Sequence, residues 1–486
     1  MGREWLRTPE EWGVEPVPPD RRRLRLADLG ILWFSLGVGL LVLFTGALLV
    51  LLFGLSLFEV LVVSVAGSVI GSLMLAAAGN LEARHGVPTM VSLRPVLGRK
   101  ASWAPSALNA FQLLGWASFE LMVMGLGLGL VSGPVLGGAT AYVWIGVLAV
   151  WVAILALGGP LVVVRIWLER VAVWLVLAST AYLTYVVVTD PVFAPSFFTP
   201  ATAGDRPLGL ALDLVIAMPV SWWPLVADYN RFARRPKDSF AGTFLGYTVS
   251  NSWFYFLGAG VLVVFGLAAE STDVMAFVGA IVATGLGSLV LLAIIVGETD
   301  NAFANVYSAA VSAQNVMPRA AQRSIILVVA TASFVAGSFL ASQGHAVSAL
   351  YEGFLFFVGG VFVPLLGVLV ADQIARRTYA ESEFADTAPA SRPIAILAWV
   401  AGIAAYFSIT GIGLVGTAVM WVDGFVGSPI GAACPRSPSP ADFTWPPRAS
   451  SRPRPNARLD EPLESDYHEG SDTFRRECYH LGLRGR

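Results

Sequence analysis

The sequence predicts an all-α polytopic membrane protein, and three observations carry that prediction. Apolar runs of the ~20 residues needed to span a bilayer recur from Leu29 to Ile430. Of 486 residues, 56% are hydrophobic and only 13% charged, against roughly 25% charged in soluble domains; mean hydropathy is +0.69. Basic residues cluster in alternate loops, as expected of a multi-pass chain with its positive loops inside.

Taken in order, the spans begin near Leu29, Leu57, Ala104, Thr140, Leu161, Gly209, Gly242, Ile281, Ser324, Tyr351 and Pro393, eleven in all. Arg21, Arg22, Arg23 and Arg25 precede the first. Further clusters follow the second (Arg84, Arg94, Arg99, Lys100), sixth (Arg231, Arg234, Arg235, Lys237), eighth (Arg319, Arg323) and tenth (Arg376, Arg377). All lie on one side, and only Arg206 falls opposite, so the chain is expected in the cell membrane with a cytoplasmic N-terminus. The expected organisation is a cytoplasmic segment at 1–25, a transmembrane transporter domain at 26–430 and a disordered tail at 431–486.

Other classes find little support. A net charge of −2 gives no case for nucleic acid. Cys434 and Cys478 both lie in the tail, and the four histidines show no metal-ligand spacing. No nucleophile–base pair or phosphate loop is visible, so neither an enzyme nor ATP drive is expected. Gly125-Leu126-Gly127-Leu128-Gly129 loosely echoes a dinucleotide loop, but no strand precedes it, and it reads as small-residue helix packing. The polar residues 1–25 are expected to carry no signal peptide.

The eighth span holds the most informative run, Gly297-Glu298-Thr299-Asp300-Asn301-Ala302-Phe303-Ala304-Asn305. A charge at the bilayer centre costs about 2.5–3.5 kcal/mol on insertion scales, and such residues mark polar cavities and transport paths. Glu298, Asn301 and Asn305 are spaced i, i+3, i+7 and share a face, while Thr299 and Asp300 point elsewhere. Hydroxyl and carboxylate oxygens suit Na+, whereas a buried Asp could instead carry a proton. On the third span Gln112, Trp116 and Glu120 share another face, extended by Asn109: a ring to stack on, beside acceptors for ring N–H groups. Asp213 and Asp372 lie near span ends, where solvated or structural roles are expected.

Two spans carry break signals. The first reads Trp33-Phe34-Ser35-Leu36-Gly37-Val38-Gly39; the sixth reads Ala217-Met218-Pro219-Val220-Ser221-Trp222-Trp223-Pro224. Each proline removes a backbone donor and frees a carbonyl, and interrupted helices in corresponding places of two halves point to a midplane site. The expectation is a secondary transporter rather than a bland helical bundle.

From about Arg25 to Ile430 the chain resembles the nucleobase–cation symporter-1 family, and in particular its bacterial cytosine and hydroxymethylpyrimidine permeases. The resemblance rests on Gly86-Val87-Pro88-Thr89-Met90 with Gly98-Arg99, on Gly115-Trp116 to Glu120, and on Ser221-Trp222 through Ala227-Asp228-Tyr229-Asn230-Arg231-Phe232. It rests also on the eighth-span run and Tyr351-Glu352-Gly353-Phe354-Leu355. It implies two inverted five-helix repeats of LeuT-like fold plus two C-terminal helices. It also implies a base held between Trp116 and Trp222, with Trp223 beside the latter leaving the register open. Glu120 stands where relatives often have a carboxamide, Asn305 matches the carboxamide that bonds the base, and Gln112, Ser221 and Asn301 complete the expected substrate set. Thr299 and Asp300 match paired hydroxyl positions for Na+, with Val296, Ser35 and Gly37 around them. Asp300 departs from that pattern, which leaves Na+ and H+ both open as coupling ion. No other cofactor is expected, and a monomer in the bilayer should suffice.

The tail departs from the family. After Ile430 a twelfth helix is expected, yet Cys434-Pro435-Arg436-Ser437-Pro438 opens a stretch rich in Pro, Arg and Ser. Reading its codons one register over allows an apolar helix, so a frameshift near Ala432 is expected. The function expected is import of a nucleobase or related pyrimidine. The alternatives are an amino-acid/cation symporter of the same fold and a non-transporting membrane receptor.

Overall fold

The computed structural model describes residues 12–137, 139–201, 208–267, 274–343 and 346–410. The tail, with the frameshift expected near Ala432 and the missing twelfth helix, lies outside them.

The described chain is helical, with one isolated parallel bridge between Leu24 and Ala233. The first span is a bent pair, α1 (Leu26–Leu36) and α2 (Leu40–Leu51), set at 59° across the Gly37–Gly39 break. Then come α3 (Leu57–His85), α4 (Trp103–Leu136) and α5 (Thr140–Gly158). The fifth span is α6 (Pro160–Thr189), whose Val163–Ala172 stretch is π-helical. In the sixth, α7 (Leu208–Ser221) stops at a 3-10 turn over Trp223–Leu225 before the short α8 (Val226–Asn230). After α9 (Pro236–Val264) and the short α10 (Val274–Val282) comes α11 (Gly287–Val316). The series ends with α12 (Gln322–Ser342), α13 (Ala346–Arg376) and α14 (Pro393–Thr410). Among the described residues nine helices are long and apolar enough to cross a membrane, and the bent pair makes up to ten. The predicted eleventh span is the shorter apolar helix Pro393–Ser408.

Local chemistry sets the ends. Ser56 opens α3 with a capping box: its hydroxyl accepts from the Glu59 N–H at 3.3 Å while Glu59 accepts from the Ser56 N–H at 2.9 Å. Gly86 closes it in the left-handed region at φ 69°. The eighth span begins at Gly287 rather than near Ile281. Ile281 belongs to α10, whose end is turned by Thr284 donating from Oγ1 to the Ile281 carbonyl at 2.9 Å.

Two groups of helices form. In one, α9 packs along α3, α1 and α2, and α7 lies on α3; in the other, α11 packs along α4, and α5 and α12 cover both. Within the second group the glycine run of α4 is a packing surface, since a Cβ on Gly129 would meet Ala141 of α5 at 3.0 Å. The matched Gly86–Met90 and Ala227–Phe232 stretches tie to each other. The Thr89 N–H donates to Asp228 Oδ1 at 3.1 Å, and Thr89 Oγ1 accepts from the Ala227 N–H at 2.9 Å. Asp372 is structural, accepting from Tyr379 at 2.8 Å, and Asp213 is exposed.

Candidate substrate and cation site

A cavity lies where the broken first and sixth spans face α4 and α11. Trp116, Glu120, Ser221, Trp222, Glu298, Asn301 and Asn305 line it, closed by apolar side chains such as Leu36, Leu113 and Met218.

On α4 the helical period puts Asn109, Gln112, Trp116 and Glu120 on one buried face. Only the last two reach the cavity. Gln112 stands behind Trp116: it accepts from the indole N–H at 3.2 Å and donates to Asn109 Oδ1 at 2.7 Å. Asn109 donates in turn to Ser312 at 2.8 Å and to the Pro224 carbonyl at 3.0 Å, beside the sixth-span break. This chain fixes the plane of Trp116, which also meets Phe354 edge-on at 5.2 Å and Tyr351 at 6.0 Å.

On α11, Asn305 Nδ2 lies 3.0 Å from both oxygens of Glu120. An ionised Glu120 only accepts, and in that state it takes the Asn305 amide nitrogen. The pair leaves lone pairs on Glu120 for a ligand.

The sixth span resolves its two tryptophans. Trp222 lines the cavity and meets Trp33 edge-on at 6.4 Å. Trp223 turns the other way, fully buried, and donates to the Phe362 carbonyl at 3.1 Å. Ser221 lines the cavity, but its hydroxyl is spent on the Met218 carbonyl at 2.7 Å, one turn back in the kinked helix.

Thr299 and Asp300 face away from this cavity. Ser35 donates to Asp300 Oδ2 at 2.7 Å, and Asp300 Oδ1 is buried without a hydrogen-bond partner. Thr299 donates to the Val296 carbonyl at 2.7 Å. Gly37 ends α1, its N–H shared between the Trp33 and Phe34 carbonyls at 3.2 Å each. An unpartnered carboxylate oxygen beside hydroxyls and a broken helix suits a cation or a proton.

Glu298 also lines the cavity, a position for which the residue pattern alone gives no role. Its Oε2 accepts from the Leu40 N–H at 2.9 Å, and beside it Asn301 Nδ2 donates to the Val38 carbonyl at 3.0 Å. The i, i+3, i+7 spacing with Asn301 and Asn305 was the available signal. Among the described residues no Lys, Arg or His lines the cavity. The lining carboxylates of Glu120 and Glu298 can accept N–H groups, with the side chains of Trp116 and Trp222 lining the same cavity.

A family profile described as "Permease for cytosine/purines, uracil, thiamine, allantoin" matches residues 16–427. The cytosine permease of Escherichia coli O157:H7 is 26% identical over 411 residues, covering 82% of this chain and 89% of its own. A putative purine-cytosine permease, YxlA of Bacillus subtilis (strain 168), is 24% identical over 373 residues, covering 74% and 78%. Among solved structures, Mhp1, a nucleobase-cation-symport-1 family transporter in a closed conformation with bromovinylhydantoin bound, matches with TM-score 0.68 at 17% identity. That match covers 87% of this chain and 98% of Mhp1, and it speaks for the fold.

Proposed function

We propose that this chain, which belongs to the family of permeases for cytosine/purines, uracil, thiamine and allantoin, imports an aminopyrimidine such as cytosine or hydroxymethylpyrimidine with Na+ or H+. It is a multi-pass membrane transporter of a permease family and not an enzyme. The single observation behind the finer reading is the cavity that Trp116 and Trp222 line together with the Glu120–Asn305 pair. A ring stacked between the indoles would donate its N–H groups to Glu120, and the cation would sit at Asp300, Thr299 and Ser35 on the opposite side of α11. In this reading the N-terminus is cytoplasmic, a monomer suffices, and rocking of one helix group against the other exposes the site to each side in turn.

An amino acid would bring its own carboxylate against Glu120 and Glu298, with no basic residue among those lining the cavity to receive it. The amino-acid reading is disfavoured on that ground. The test is uptake of radiolabelled cytosine in a strain lacking its own permeases. Accumulation above the empty-vector level, collapsing when the ion gradients are dissipated, is expected. Binding without accumulation would instead favour a non-transporting receptor.

A further inference from the structure

Glu298 joins the cavity to the break in the first span. Its residue lines the cavity, and one of its oxygens holds the Leu40 N–H, the first of α2, where helical N–H groups lack internal acceptors and the dipole favours an anion. Three residues on, Asn301 holds the Val38 carbonyl, so one face of α11 grips the break on both sides of Gly39. The approach is close, so that a side chain at Gly39 would displace the Glu298 carboxylate. A Cβ there would lie 2.5 Å from Glu298 Oε2 and 3.1 Å from Asn301 Nδ2, although its φ of 179° is open to any residue.

Hydrogen-bond accounting then describes the missing partner. The Trp116 and Ser221 donors are engaged on Gln112 and Met218, and the Asn301 and Asn305 amides each donate, to Val38 and to Glu120. Acceptors are in surplus: Asn301 Oδ1 is buried without a partner, and two carboxylates share the cavity with no basic side chain among the lining residues. A carboxylate offers about four acceptor sites, more than these contacts use. What completes the cavity is a ring that donates from two edges, one toward Glu120 and one toward Glu298 and Asn301.

We propose that Glu298 is a ligand-binding residue of this cavity. It accepts an N–H from the edge of the bound heterocycle opposite Glu120, and so ties occupancy of the site to the break at Val38–Leu40. The inference rests on reading the cavity as a nucleobase site. In the empty site Glu298 is held by the Leu40 N–H and the Asn301 side chain; a bound ring adds a further donor to the same carboxylate and holds α2 against α11. The break is thus steadied by the ligand from one side of α11, and reached by Asp300 through Ser35 from the other.

The test uses the purified full-length protein, with cytosine as probe, in wild type and Glu298→Gln. Affinity is read from quenching of tryptophan fluorescence, and the break from hydrogen–deuterium exchange of a peptide covering residues 35–44. Cytosine should slow exchange in the wild-type peptide. Glu298→Gln, which keeps the shape but loses an acceptor, should bind about tenfold more weakly and show no slowing even at saturation. Glu298→Gln that binds and protects like wild type overturns the proposal. So does wild-type protein that binds cytosine without slowing this peptide, a result that needs no variant to fold. Wild-type protein that binds no aminopyrimidine at all would instead bring down the nucleobase reading, and this inference with it.

Discussion

Ser35 Oγ donates to Asp300 Oδ2 at 2.7 Å, joining the last turn of α1 to the middle of α11 across 265 positions of sequence. Asp300 Oδ1 remains buried and unpartnered. The broken first span is therefore held by α11 from two directions, by Asp300 on one side and by Glu298 and Asn301 on the other.

If Asp300 receives the coupling cation, Asp300→Asn should blunt whichever dependence, on Na+ or on the proton gradient, the wild type displays. Ser35→Ala should do so more mildly, since only a hydroxyl partner is lost. Uptake measured with each gradient imposed separately checks this. Variants that respond to both gradients as wild type does would remove Asp300 from coupling.

Glu120→Leu is expected to abolish uptake, because it removes the acceptors for ring N–H groups and leaves the Asn305 amide unpaired in a buried site. An unsatisfied buried polar group costs about 1–3 kcal/mol, or roughly tenfold to a hundredfold in affinity. Glu120→Gln retains one acceptor oxygen and should keep partial binding. Equilibrium binding of labelled base to both variants decides the matter, and unchanged binding in Glu120→Leu would exclude the residue.

The two adjacent tryptophans should separate cleanly. Trp222→Ala strips one wall of the cavity and should lose base binding with only a modest fall in melting temperature. Trp223→Ala empties a fully buried site and removes its hydrogen bond to the Phe362 carbonyl, and burial losses of this kind cost about 3–5 kcal/mol. Its main effect should be thermal instability. Melting curves and binding isotherms on the same preparations test the pair; Trp223→Ala that melts normally but fails to bind would reverse the assignment.

On the cytoplasmic side of the proposed topology, Glu383 accepts from Arg376 at 2.5 Å and from Arg392 at 2.7 Å. Burial pushes its carboxyl up, but the Arg376 hydrogen bond, the Ala380 N–H and both guanidinium charges outweigh this and hold it below the usual range. A depressed carboxylate pKa adds stability above the unfolded value of about 4.3, and that stability is lost as pH falls through the folded value. Glu383→Gln should therefore melt below wild type at pH 7, and the gap should close as the pH is taken below about 4. A gap that persists in acid would mean the residue acts through packing.

Much of this was legible in the residues. The helices follow from apolar run length, because a bilayer rewards nothing shorter, and the start of the eighth span moved only because Ile281 sits in α10. The faces carrying Trp116 with Glu120, and Glu298 with Asn301 and Asn305, follow from the helical period. Paired glycines marked the break after α1 and two prolines the break after α7.

Tertiary structure decided what those local rules do not reach. Gln112 shares the face of Trp116, yet it stands behind the ring, because Asn109 and the Pro224 carbonyl of another helix draw its chain of hydrogen bonds away from the cavity. Trp222 and Trp223 could not be told apart by counting, since the helical period lapses where α7 gives way to a 3-10 turn. Which helices form, which of their faces are polar and where two of them break are properties of neighbours within a few turns, and so can be read from the residues. Only the packed chain decided that Glu298 would meet the Leu40 N–H and Asp300 the Ser35 hydroxyl. Those partners lie 258 and 265 positions apart, and their meeting is set by how two broken helices close on a third.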